Sequence, residues 1–140
     1  MSTQARPEGT HAFVDEREEL RRRVWKVEDR LFMLVEVPIQ SPFTIDVLFD
    51  RLEELSAGLD RFAYAVDLTR VQRPDAGTRQ RLRLRVSRIN TRLVHVAVAV
   101  GGNVIIRAVA RLAAFAIGFR SFSSHVTVDE ALEACRRALR

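Results

Sequence analysis

Apolar residues in this chain fall into short runs typical of strands and longer stripes typical of helices. Runs rich in β-branched residues predict strands over residues 24–27, 31–37, 62–68 and 93–100, with a short fifth strand ending before residue 127. Apolar residues at helical spacing predict helices over residues 44–57, 103–119 and 128–139. Strand and helix alternate from residue 31 onward, which predicts an α/β layer structure with mainly parallel strands.

The segment Asp75–Asn90 fits two patterns. Residues 81–86 alternate with period two, as a half-exposed strand would, but Leu82, Val86 and Ile89 also form one helical stripe. A crossover of about two dozen residues between two apolar strands is normally helical. We therefore predict a helix, with the first residue of the segment as its N-cap.

The predicted helix at residues 103–119 is apolar around most of its circumference. On a helical projection, only a narrow sector near Arg107 and Arg111 is charged. The stripe expected to face the sheet is Ile105, Val109, Leu112 and Ala116. The candidates for interaction with a partner are Ile106, Phe115 and Phe119. So apolar a helix needs cover on more than one side, which neighbouring helices, a dimer partner or an apolar ligand could each supply.

Length and composition suggest one domain. The 140 residues predict a flexible tail at residues 1–13 and a single domain at residues 14–140. A lone cysteine, Cys135, excludes an intramolecular disulfide and a cysteine-based zinc motif. Arginines interrupt the longest apolar run, and the N-terminus lacks the apolar core of a signal peptide. We expect a cytoplasmic protein without a transmembrane segment.

Charge is unevenly divided along the chain. Residues 1–70 hold 10 basic and 14 acidic side chains, a net charge of −4, and residues 71–140 hold 13 and 4, a net charge of +9. This polarity favours an anionic partner or head-to-tail self-association into a homo-oligomer. Helical spacing predicts one basic ridge, made of Arg81, Arg85, Arg88 and Arg92. Solvation or docking of an acidic protein or phospholipid would explain the ridge, whereas nucleic acid is disfavoured because no aromatic residues interleave it.

Candidate chemistry is sparse. Ser123 and His125 would share one face of the last strand, but no nucleophile-elbow glycines surround them, and His95 fits a buried strand histidine. No carboxylate pair or ligand spacing indicates acid–base catalysis, a metal or a cofactor, so we predict no enzyme. The turn Gly101-Gly102-Asn103 follows a strand end, where an anion cradle or a simple tight turn with an N-cap would fit.

Three pieces of the chain carry a family resemblance. They are FAYAVDLTRV leading through Pro74-Asp75 into a helix, VHVAVAV entering GGN, and SFSSHVTVDEALEACRRAL. Their order resembles the STAS fold of bacterial anti-sigma-factor antagonists, and the last two resemble its SpoIIAA-like, STAS/Sec14-type group. The resemblance implies a mixed, mainly parallel sheet of about five strands with about four helices. It also implies a non-enzymatic regulatory module, or, from the Sec14-type side, a carrier or sensor of an apolar or lipid-like molecule.

One motif departs from that family. Partner-switching antagonists carry an Asp-Ser-Ser-Gly-like turn whose serine is phosphorylated, and the matching turn here is Asp75, Ala76, Gly77 and Thr78. Neither residue at the serine positions can accept phosphate. Thr78 could be a phosphoacceptor at the helix N-terminus or an ordinary first-turn hydroxyl. We expect the usual phosphoserine switch to be missing.

Overall fold

The protein is described by a computed structural model that covers residues 16–140. The predicted flexible tail and His11 lie outside the described residues. A helical segment at residues 16–21 comes first. The elements that follow are β1 (Val24–Glu28), β2 (Leu31–Val35), α1 (Pro42–Leu55), β3 (Phe62–Asp67), α2 (Ala76–Ile89), β4 (Leu93–Ala99), α3 (Val104–Ile117), β5 (Phe122–His125) and α4 (Val128–Leu139).

The five strands form one mixed sheet in the order β1-β2-β3-β4-β5, with β1 antiparallel to β2 and the other pairs parallel. Each parallel crossover advances one strand in the same direction. Because such crossovers are right-handed, α1, α2 and α3 lie on one face of the sheet. Helix α4 follows the last strand and packs on β3 and β4 from the opposite face. The predicted α/β, mainly parallel fold is confirmed.

The two faces of the sheet carry side chains of different size. On the face of the three crossover helices, the core contains large residues, among them Phe32, Phe49, Leu52, Phe62 and Val96. On the face under α4, β2 contributes Leu31 and Met33, but β3 and β4 contribute only small residues, Ala63, Ala65 and Ala97, to a cluster with Ala131, Ala134 and Cys135 of the helix. Small residues on both sides allow the backbone of α4 to approach the sheet closely.

Helix α2 resolves the ambiguous segment as predicted. Asp75 is its N-cap, and its side chain accepts a hydrogen bond from the Thr78 amide. Val86 and Ile89 are buried on one helical stripe, whereas Leu84 is exposed on the other side. The helical stripe outweighs the period-two alternation because only the former places both large residues in the core.

A candidate interaction surface and cavity at the third crossover helix

Helix α3 has well-defined ends. The Asn103 side chain accepts hydrogen bonds from the amides of Ile105 and Ile106, at 2.9 and 3.1 Å. Gly118 ends the helix with φ of 106°, a left-handed conformation that glycine adopts without strain. The sequence therefore fixes where α3 begins and ends, independently of which side it presents to the sheet.

Polar contacts tie α3 to its neighbours. The Arg83 Nε of α2 donates to the Ala116 carbonyl at 3.2 Å. Arg107 Nη2 donates to the Ser124 carbonyl of β5 at 3.2 Å. This second contact turns the Arg107 side of the helix toward the sheet, and the apolar side opposite to it toward solvent.

The rotation of α3 corrects the predicted packing. The residues that contact the core are Ala110 and Ile117, with Ala114 fully buried between them. The stripe predicted to face the sheet, Ile105, Val109, Leu112 and Ala116, is exposed instead. The apolar pattern alone could not select the inner side, because nearly every side of this helix is apolar.

The outward side forms a continuous apolar surface. We call it the outer face of α3, and it consists of Val104, Ile105, Val109, Leu112 and Phe115. Phe115 is 86% exposed and Ile105 74%. Of the predicted interaction candidates, Ile106 and Phe115 are exposed, whereas Phe119 is partly buried and stacks on Phe122 with ring centroids 6.1 Å apart.

A cavity of about 160 Å³ lies beneath α3. Helix α3 lines it with three alanines and Ile117, and the sheet and α1 supply larger apolar walls such as Leu34, Phe49 and Val96. The alanines are the cause of the space, since the bulky side chains of α3 point outward. The cavity and the outer face are thus two consequences of one helix rotation.

Polar side chains, among them Glu36 and Tyr64, also line this mostly apolar cavity. Glu36, directly after β2, is 6% exposed, and its Oε1 accepts a hydrogen bond from the Val37 amide at 3.1 Å. Burial raises the pKa of Glu36, although the Val37 amide, the Gln40 side chain and Arg23 oppose the shift. Tyr64 is 2% exposed, and burial first, then the charge of Glu36, raises its pKa. Its hydroxyl has no hydrogen-bond partner among residues 16–140.

Sequence reasoning missed this polar pair. Glu36 stands directly after a strand that is apolar on both faces, and Tyr64 lies in the middle of a buried strand. A carboxylate that continues a buried strand is a signal that could have marked the site, because such a group is rarely buried without a partner.

The predicted basic ridge does not face solvent along its whole length, because its central residue, Arg85, is buried. Arg85 is 3% exposed. Its guanidinium contacts three carboxylates of α1, those of Asp46 at 3.0 Å, Asp50 at 2.7 Å and Glu53 at 3.0 Å. The expected solvent-facing ridge is therefore a clamp between two helices at its centre.

The flanking arginines of that ridge also contact the chain itself. Arg81 pairs with Asp46 at 3.3 Å, and Arg88 pairs with Glu53 at 3.2 Å. Arg92 donates to main-chain carbonyls after α1 and lies over the Phe62 ring, 5.1 Å from its centroid. Helical spacing found the right set of residues but could not show the acidic helix opposite them.

No family model matches this chain, and no curated protein matches it. A solved structure is similar over 80% of this chain and 90% of its own, with a TM-score of 0.65 and 14% identity. It is the crystal structure of an uncharacterized protein of the DUF3478 family with a SpoIIAA-like fold from Shewanella loihica PV-4. The present chain has a SpoIIAA-like fold. The resemblance to a STAS-like domain is thereby confirmed at the level of fold.

In this SpoIIAA-like domain the turn that matches the phosphoswitch is part of a helix start. The Asp75 carboxylate accepts from the Thr78 amide at 2.8 Å, and this hydrogen bond is the main cause of the lowered pKa of Asp75. Ala76 and Gly77 form the first turn of α2. Thr78 is 0% exposed, so a kinase could not reach its hydroxyl in this conformation.

At the turn predicted to bind a ligand, the first free amides of α3 are already hydrogen-bonded to the Asn103 side chain. Gly101 has φ of 82°, which favours glycine, and Gly102 leads directly to the cap residue. An anion at this helix start would need the amides that the Asn103 side chain already binds. The geometry matches a tight turn with an N-cap.

The strand histidines form a hydrogen-bonded chain. His95 contacts Ser121 at 2.6 Å and Ser123 at 2.8 Å, and Ser123 contacts His125 at 2.7 Å. Burial is the main cause of the lowered pKa of both histidines. Neither imidazole is hydrogen-bonded to a carboxylate among the described residues, so the third group of a nucleophile triad is not in place there.

Residues 16–140 contain neither a metal-binding cluster nor a membrane-spanning helix. No three His, Cys, Asp or Glu side chains come together there in a group that could hold a metal ion. No helix in this part of the chain is both long and apolar enough to cross a membrane.

Proposed function

We propose that this SpoIIAA-like domain is a non-enzymatic regulatory module that acts through protein–protein contact, without the usual phosphoserine switch. The observation that carries the proposal is the exposed outer face of α3. Burying a large apolar side chain is worth about 2 kcal/mol, so a face with five of them favours a partner strongly. The polar residues singled out in the sequence support the same view, because Asp75 and Arg85 serve the fold.

A second copy of the chain is the occupant that we favour. The outer face has no charged residue within it, so two copies could meet there without burying a charge. Ala108 and Ala116 stand beside its larger residues and would let two helix backbones approach closely. A helix of 14 residues is about 21 Å long, enough for a two-fold α3–α3 contact.

Light scattering on the full chain after size exclusion tests this proposal. We expect a dimer, and we expect the double variant Leu112→Asp, Phe115→Asp to be a monomer, since it places two carboxylates in the contact. Leu84→Asp is the matched control, because Leu84 is an exposed leucine of α2 outside the face. A wild-type monomer that also retains no protein partner from lysate would contradict the proposal.

The second candidate function is a carrier or sensor of an apolar or lipid-like small molecule. The cavity beneath α3 supports it, since its walls are almost entirely apolar and include only a few polar side chains. Native mass spectrometry of the purified protein and flotation with anionic liposomes test it. We expect a bound small molecule or co-flotation, and finding neither would remove this candidate.

A further inference from the structure

We propose that the cavity beneath α3 binds a small apolar molecule that carries one hydroxyl group, and that Glu36 and Tyr64 together recognise this hydroxyl. The inference rests on the second candidate function and specifies its ligand chemistry. It follows from the size of the cavity, its walls and the two polar groups that line it.

The size of the cavity limits the ligand. Its volume is about 160 Å³, and an apolar cavity of about 150 Å³ in another protein holds a benzene molecule. A single aromatic ring with one or two small substituents therefore fits without rearrangement. A full lipid would require α3 to move away from the sheet.

The walls favour an apolar body. Leu34, Val66 and Val98 form the floor on the sheet, and Ala110 and Ala114 form the roof on α3. Most of this lining offers no hydrogen bond to water, which favours an apolar molecule as the occupant. Burial of the ring against these side chains supplies the affinity.

Glu36 and Tyr64, as lining residues, favour a ligand group that both donates and accepts. The Tyr64 hydroxyl has no partner among residues 16–140 and can donate. The Glu36 carboxylate is buried, and besides its bond to the Val37 amide it can accept another hydrogen bond. A ligand hydroxyl would accept from Tyr64 and donate to Glu36. A hydrocarbon of the same shape would leave both groups unpaired in an apolar space.

Titration of the full chain with p-cresol and with toluene, followed by NMR chemical shifts, tests the inference. The two probes differ by one hydroxyl. We expect both to shift signals of cavity residues, with p-cresol binding at least about tenfold more tightly, as the loss of a buried hydrogen-bond partner predicts.

The variant Tyr64→Phe distinguishes recognition of the ligand hydroxyl from simple occupation of the cavity. It removes only the phenolic oxygen, which has no hydrogen-bond partner in the described part of the chain, so we expect the fold to persist. The affinity for p-cresol should fall toward that for toluene, whereas the affinity for toluene should remain unchanged. An unchanged preference for p-cresol in this variant would overturn the role of Tyr64.

A matched pair of substitutions locates the binding. Ala110→Leu places a larger side chain in the cavity and should abolish binding of both probes. Ala57→Leu makes the same change at an exposed position after α1, outside both the cavity lining and the outer face of α3, and should leave binding intact. If the wild type bound p-cresol and toluene equally well, hydroxyl recognition would be overturned, but the second candidate function, a carrier of apolar molecules, would still stand. Absence of binding by either probe to the wild type would overturn both.

Discussion

Helices α2 and α3 are neighbours of equal length on one face of the sheet, yet their burial is opposite to their composition. Helix α2 is rich in arginine and still buries Val86, Ile89 and even Arg85. Helix α3 is almost wholly apolar, and within it only Ala114 is buried. Burial here follows from the anchors that fix a helix on its neighbours, and the number of apolar residues is a poor guide to it.

The anchors of the two helices differ in kind. In α2, a stripe of large apolar residues enters the core while Arg85 reaches three carboxylates of α1. In α3, small residues face the sheet and Arg107 holds one main-chain carbonyl. Helix α3 is thus the less firmly attached of the two, and its large side chains remain available for a partner.

The largest expected effect compares one isoleucine from each helix. Ile89→Ala should lower the free energy of unfolding by about 3 kcal/mol, since it leaves a cavity in the core. Ile105→Ala should change it by less than about 0.5 kcal/mol, because that side chain is already exposed. Urea unfolding in the monomeric Leu112→Asp, Phe115→Asp background measures both. A loss of similar size at Ile105 would mean that the outer face is covered within one chain.

A smaller difference between paired variants is expected at the arginine clamp. Arg85→Ala should cost about 3 kcal/mol, because it leaves Asp46, Asp50 and Glu53 close together without their shared cation. Arg81→Ala removes a single, partly exposed ion pair and should cost less than about 1 kcal/mol. Urea unfolding at neutral pH compares the two variants. Equal costs would show that the clamp contributes no more than a surface pair.

The smallest effect concerns Glu36 and depends on pH. Burial raises the pKa of Glu36 in the folded state, so above that pKa its ionised form costs stability, and below the unfolded value the penalty vanishes. Glu36→Gln should therefore be more stable than the wild type at neutral pH, with the difference disappearing as the solution becomes acidic. Urea midpoints across this range measure it. If the variant were instead less stable at neutral pH, the hydrogen bonds of the Glu36 carboxylate would more than offset the cost of burying its charge.

The sequence predicted the order of elements because local patterns determine it. Asp75 caps α2 as its position before the stripe predicted, and Leu82, Val86 and Ile89 lie on one side of that helix. The side of α3 that meets the sheet was not predictable, since its apolar residues surround the helix and offer no contrast. It depends on Arg107 and Ser124, which are distant in sequence.

The candidate site was predicted only in part. Phe115 and Ile106 were named as interaction candidates and are exposed, but spacing placed Ile105, Val109 and Leu112 on the wrong side of the helix. The partners of the arginine ridge were not, since the spacing of Arg85 and its neighbours says nothing of α1, more than 30 residues earlier. Glu36 and Tyr64 line the same cavity because β2 pairs with β3, and no local pattern specifies that pairing.

The close seating of α4 on small residues has a consequence for the one thiol of the chain. Burial raises the pKa of Cys135 to about 12, so at neutral pH its sulfur stays protonated and is a poor nucleophile. Alkylating reagents and peroxide should reach it only when α4 lifts from the sheet. The rate at which Cys135 is labelled would therefore report how often α4 detaches from the sheet, and no engineered probe would be needed.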